Sequence, residues 1–156
     1  MAERGIGKVV GGGSLQAKDG EIIHCGIDLE LQLTPSSIEF VCSFLTKYNA
    51  PKGSKLQFKR NGVNEEVPFG VTEGLGVYLN GTDLPREVYK NCDVDVVLDT
   101  LYDLTSELPG FRGYWQGPRE TALYMYAPSA AELRSRISKF MAEYPLCQKA
   151  RVVQIA

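Results

Sequence analysis

The chain has 156 residues, 44% of them hydrophobic and 23% charged, with 17 Lys and Arg against 19 Asp and Glu. That length predicts one domain, 1–156, with a real core, and the formal charge of −2 excludes the concentrated positive field on which a nucleic-acid binder relies. No stretch approaches 18 apolar residues, which argues against a membrane-spanning helix. Met1-Ala2-Glu3-Arg4-Gly5 has no apolar leader segment, and Cys25, Cys42, Cys92 and Cys147 show no CxxC spacing. Together these features predict a cytoplasmic protein with reduced thiols.

Taken in chain order, Gly7 to Leu15 offers a short strand, with Gly11-Gly12-Gly13 and Lys18-Asp19-Gly20 read as turn material. From Glu21 to Leu33, Ile23, Cys25, Ile27, Leu29, Leu31 and Leu33 alternate with His24, Asp28, Glu30 and Gln32. That period of two predicts a long strand with one buried and one polar face. Thr34-Pro35-Ser36-Ser37-Ile38-Glu39 then opens a helix, with Ser36 as the expected cap and Glu39 as its capping-box partner. The apolar positions Ile38, Val41, Cys42, Leu45 and Tyr48 follow at helical spacing, and Ala50-Pro51-Lys52-Gly53 stops the helix. Ser54 to Arg60 and Val63 to Phe69 flank Asn61-Gly62, the signature of a type I′ hairpin.

A strand over Gly74 to Leu79 comes next, then a helical turn over Pro85 to Asn91. Asp93 caps a longer helix carrying Val97, Leu98, Leu101, Leu104 and Leu108, ended by Pro109-Gly110. Phe111 to Trp115 and Thr121 to Tyr126 flank Gln116-Gly117-Pro118 as a second hairpin. Ser129 and Glu132 start a last helix, whose stripe is Leu133, Ile137, Phe140 and Met141, and a strand over Ala150 to Ile155 closes the chain. Residues 74–155 thus read β-α-β-β-α-β, the ferredoxin-like order. The expected class is α+β: a mixed, mostly antiparallel sheet with helices packed on one face. Pro35-Ser36-Ser37-Ile38-Glu39 and Pro128-Ser129-Ala130-Ala131-Glu132 further suggest a ββαβ pseudo-repeat covering about 7–60 and 111–155; the alternative is that both are simply efficient helix starts.

Catalytic signatures are scarce. No Cys pair has metal-ligand spacing, Asp93, Asp95 and Asp99 diverge around a helix, and neither metal nor cofactor is expected. His24 and Cys25 point to opposite faces of a strand and cannot form a thiolate–imidazole pair. Gly5-Ile6-Gly7-Lys8-Val9-Val10-Gly11 misses the dinucleotide fingerprint, and Lys47, Lys52, Lys55, Lys59 and Arg60 read as a solvated basic rim.

Two features suit recognition instead. Tyr78 lies beside Val77 and Leu79 on the opposite face of its strand, Tyr124 and Tyr126 share a face, and Asp28 and Glu30 line the polar side of theirs. Trp115 stands at a hairpin tip near Arg119 and Glu120, residue types that anchor interfaces. The expectation is a non-catalytic protein-binding domain, of adaptor or immunity/inhibitor-like kind, contacting another protein or itself through a sheet face, with no nucleic-acid or membrane partner. The alternative is a small-molecule binder or enzyme with a pocket between the two ββαβ-like units, using Asp28, Glu30, Arg119 or Glu120.

Overall fold

The computed structural model describes residues 6–156; the Met1–Gly5 opening, and with it the first glycine of the near-fingerprint, lies outside them. The chain is mixed α+β, with eight strands and four helices among the described residues, and every strand pair is antiparallel. It divides into two compact units, one ending at Gly70 and one running from Val71 to Ala156.

The first unit holds β1 (Gly7–Gln16), β2 (Ile22–Leu31), α1 (Pro35–Lys47), β3 (Ser54–Arg60) and β4 (Val63–Phe69). β1 and β2 form one two-stranded ribbon and β3 and β4 another. The triple glycine is not a turn: Gly11, Gly12 and Gly13 lie within β1, opposite Asp28, Ile27 and Gly26. Close approach explains it, since a Cβ on Gly12 would stand 2.8 Å from the carbonyl oxygen of Gly26. The buried face expected of β2 is also absent. Ile23 is 65% and Ile27 54% exposed, because alternation sorts residues between two faces but does not supply a layer to cover either.

The first cap differs as well. Thr34, not Ser36, caps α1, its Oγ1 accepting from the Ser37 amide at 3.2 Å, because Pro35 takes the first helical position. α1 buries Val41 and Ser37. In the β3–β4 hairpin Asn61 and Gly62 have φ of 50° and 84°, the left-handed pair that a type I′ turn requires. Leu56 pairs with Val67 and Phe58 with Glu65 on its half-buried face.

The second unit holds β5 (Glu73–Asn80), α2 (Arg86–Asn91), α3 (Val94–Thr105), β6 (Gly110–Gln116), β7 (Glu120–Ala127), α4 (Ala130–Glu143), a 3-10 turn at Pro145–Cys147 and β8 (Arg151–Gln154). With the first helix split in two, the element order is loosely compatible with the expected β-α-β-β-α-β, and the sheet runs β6-β7-β5-β8. α3 and α4 pack on one face of it, where Leu75, Val77, Leu123, Met125, Val97, Leu101, Leu133 and Ile137 are at most 1% exposed. The valines of α3 are helical despite their strand propensity: Asp93 caps the segment, accepting from the Asp95 amide at 3.0 Å, and burial of Val97 and Leu101 outweighs a few tenths of a kcal/mol per residue of propensity. Tyrosine hydroxyls tie the helix ends down. Tyr89 accepts from the Leu84 amide at 3.0 Å and donates to the Asn80 carbonyl at 3.2 Å. Tyr144 accepts from the Asp93 amide at 3.0 Å. Glu73 reaches the α4 N-terminus, its Oε2 accepting from the Ala130 amide at 2.8 Å where the helix dipole favours a carboxylate.

The two segments that share a ββαβ element order differ in pairing. β3 pairs with β4, whereas β8 joins the large sheet beside β5. Their helix starts differ too: Pro35 is inside α1, while Pro128 precedes the cap Ser129, whose Oγ accepts from the Glu132 amide at 3.3 Å.

Candidate functional site

Alternation in β5 and β7 dictates the second face of the large sheet. With Leu75, Val77 and Leu79 turned to the helices, Gly74, Gly76 and Tyr78 must turn away; with Leu123 and Met125 inward, Ala122, Tyr124 and Tyr126 turn away. The register then writes the helix-free face as rows crossing all four strands. One row reads Trp115, Ala122, Tyr78, Arg151; the next reads Gly113, Tyr124, Gly76, Val153. In a third, Tyr126 pairs with Gly110 and Gly74. Large side chains therefore alternate with small ones.

The small residues let the rings lie down on the sheet. A Cβ on Gly74 would stand 2.7 Å from both Tyr126 Cε1 and Ile155 Cγ1, and one on Gly76 would stand 2.8 Å from Tyr78 Cε2. Aromatic cover of strand glycines is a known way of restoring the packing that glycine lacks. Gly113 is different: a Cβ there would meet nothing within 4 Å, so the space over its backbone beside Tyr124 is open. Trp115 is half-buried, its indole lying against Gly117 in the β6–β7 turn.

Charge is concentrated at one point of this face. Arg151 donates from Nε to Glu120 Oε1 at 2.9 Å and from an Nη to Oε2 at 2.7 Å, a bidentate pair. The same guanidinium lies 4.2 Å from the Tyr78 ring centroid, and Tyr78 meets Tyr124 edge-on at 6.4 Å. The hydrogen bonds from Arg151 hold the Glu120 carboxyl below its ordinary pKa, although partial burial opposes the shift.

Of the residues singled out in the sequence, Trp115, Tyr78, Tyr124, Tyr126 and Glu120 thus share one sheet face. Arg119 sits in the adjoining turn, its carbonyl accepting from the Gly81 amide at 2.7 Å and its side chain exposed. Asp28 and Glu30 belong to the other unit, on the polar face of β2, where Lys8 pairs with Glu30 at 3.2 Å. Arg151 and Gly76 escaped sequence reasoning. The period of β8 was legible, but its place beside β5 was not, and that place sets Arg151 over Tyr78.

The basic rim of the first unit is compensated: Lys55 meets Glu66 at 2.9 Å and Arg60 meets Glu65 at 3.5 Å. Hydrogen bonds from Lys55 and Gln57 lower the Glu66 pKa. An open hollow of about 490 Å³ lies between α1 and the β3–β4 hairpin, walled by Ile38, Phe58 and Val67 with Cys42 and Glu39 beside them. Burial raises the Cys42 thiol pKa. A second, of about 360 Å³, lies beside α4 at Arg134 and Gln154. Neither is lined by Asp28, Glu30, Arg119 or Glu120. Among the described residues no three His, Cys, Asp or Glu side chains gather where they could hold one metal ion. All four cysteines are free thiols, and among the described residues no helix is long and apolar enough to cross a membrane. Comparison with protein-family models, curated proteins and solved structures returns no match.

Proposed function

We propose that this chain is a non-catalytic protein-binding domain, of adaptor or inhibitor-like kind, whose recognition surface is the helix-free face of the second unit. The observation that carries the reading is the gathering of half-buried Trp115, Tyr124 and Tyr126 and the Arg151–Glu120 pair on one sheet face, around a Tyr78 that is itself buried beneath them. Trp, Tyr and Arg are the residues that most often dominate interface energetics, because each presents a large area at low conformational cost. Backbone pairing on both sides of β5 and β7 holds the tyrosines in register, so little ordering is required of them on binding. The open space over Gly113 beside Tyr124 leaves room for a side chain from a partner, and Arg151 and Glu120 offer polar contacts on the same face.

The test is affinity capture from the native host with the wild-type chain, with Trp115→Ala and Tyr124→Ala, and with Ser138→Ala on the helix side as control. A binding surface here predicts a protein retained by the wild type and the control and lost at least tenfold with each face variant. Equal capture by all four chains, or capture of nothing, would count against the reading. Trp115 is the sole tryptophan, so its fluorescence should also shift when a captured partner is titrated back.

A further inference from the structure

The first unit carries a separate feature, independent of that reading. β2 is a lightly guarded strand edge: β1 pairs with one side of it, no described strand pairs with the other, and its one irregularity falls at Ile23, near its start. Long exposed edges are ordinarily protected by Pro, by Lys, or by bulges that twist them away, and Ile22–Leu31 contains no Pro, Lys or Arg. Its pairing with β1 is regular from His24 to Asp28, Ile27 is 54% exposed, and Cys25 is exposed beside it. The outer edge of β1 is poorer material. Lys8 stands on it, Val10 forms a bulge, and Gly11, Gly12 and Gly13 offer no side chains for cross-strand contacts.

We infer that β2 pairs antiparallel with β2 of a second copy, about a two-fold axis at Ile27, to make a continuous β1-β2-β2-β1 sheet. Residues directly opposite in an antiparallel pair share a face, so the register can be worked out. With Ile27 on the axis, Ile27 faces Ile27, Cys25 faces Leu29, Gly26 faces Asp28 and His24 faces Glu30 of the second copy. Apolar residues meet apolar residues twice over. The sole histidine meets a carboxylate that already lies 3.2 Å from Lys8, and no two like charges are opposed. Moving the axis to Asp28 would set Asp28 against Asp28 and His24 against Gln32. Moving it to Gly26 would set glycine against glycine and carry the irregular Ile23 position against Leu29. The strand is thus complementary in charge and polarity to an inverted copy of itself, which is what selects a second copy of this chain as the occupant of the edge.

The test is cross-linking in a Cys25→Ser background of the full chain. Ile27→Cys places two thiols opposite each other at the axis, within disulfide reach, and mild oxidation should convert it to a covalent dimer. Leu29→Cys places the equivalent thiols roughly 14 Å apart by strand rise and should stay monomeric under the same conditions. Light scattering across concentration should show a monomer–dimer equilibrium for the unmodified chain. His24→Glu should raise its dissociation constant about tenfold, and His24→Glu with Glu30→His should restore it to within about threefold. The circular dichroism of each variant serves as the folding control, since none of these side chains is buried. A strict monomer at all concentrations, equal cross-linking of the two cysteine variants, or a dimer indifferent to His24→Glu would overturn the inference.

Discussion

Replacing Arg151 by Met tests the architecture of the aromatic face, because Met keeps an apolar stem over Tyr78 and removes the guanidinium. Two interactions are lost. The bidentate pair with Glu120 is worth about 0.5–1 kcal/mol, since the two side chains are 53% and 30% exposed and solvent screens much of their attraction. The stacking on Tyr78 at 4.2 Å contributes about 0.5–1 kcal/mol more. The expected cost is therefore about 1–2 kcal/mol, read from urea denaturation at pH 7. Double-mutant cycles with Glu120→Gln and with Tyr78→Leu should each return about 0.5–1 kcal/mol of coupling. The two couplings separate with acid. Glu120 has a folded pKa below its unfolded one, so its contribution is present above the ordinary carboxyl range near about pH 4 and is lost as pH falls through the lower folded value. As pH is lowered through that value the Arg151–Glu120 coupling should fade while the Arg151–Tyr78 coupling persists. Coupling below about 0.3 kcal/mol in both cycles, or acid loss of the Tyr78 coupling alone, would refute the arrangement.

Leu123→Ala, at a fully buried position in the central strand β7, should cost about 2–5 kcal/mol in chemical denaturation, whereas Ile27→Ser on the exposed ribbon should stay within about 0.5 kcal/mol at monomeric concentrations. Gly110→Ala should destabilise by about 2 kcal/mol, seen as a lowered thermal midpoint, because φ is +65° there and a Cβ would stand 2.8 Å from the Thr105 carbonyl oxygen. The Cys147 thiol is pushed up to about 11 by burial and then by the neighbouring Cys92. The fold favours its neutral form, so that contribution is complete below the ordinary thiol value of about 8.5 and is lost as pH rises through about 11. Iodoacetamide at pH 8 should accordingly label exposed Cys25 well before Cys147, as followed by mass spectrometry of the digested chain.

Local chemistry was largely legible in the sequence. Asn61-Gly62 announces its hairpin because two consecutive positive φ values are easiest for those residues, and the β3 and β4 bounds follow from it. Asp93 and Ser129 were recognisable as caps because a side-chain acceptor before an apolar stripe satisfies an otherwise orphaned amide. The order of elements over 74–155 and the sorting of Tyr78 from Val77 follow from period alone. Where two local signals competed, the sequence was ambiguous: Thr34 and Ser36 both offer a cap, and the choice turned on where Pro35 sits in the helix.

What tertiary structure alone decided is which strands distant in the chain lie side by side. Strand neighbours depend on contacts between residues far apart in the chain, and no local period encodes them. The adjacency of β8 and β5 sets Arg151 on Tyr78 and against Glu120; the adjacency of β5 and β7 carries the β6–β7 hairpin, and Trp115 with it, into the same row. The same gap hid the state of β2. Its alternation of apolar and polar residues is real, but a period states only that the two faces differ, and whether another layer covers the apolar one is a property of the folded chain and its partners. The near balance of 17 basic and 19 acidic residues is likewise uninformative until the sheet pairs them: Lys55 with Glu66, Arg60 with Glu65, Arg151 with Glu120. Composition determines how many charges the chain carries, and strand register determines which of them meet.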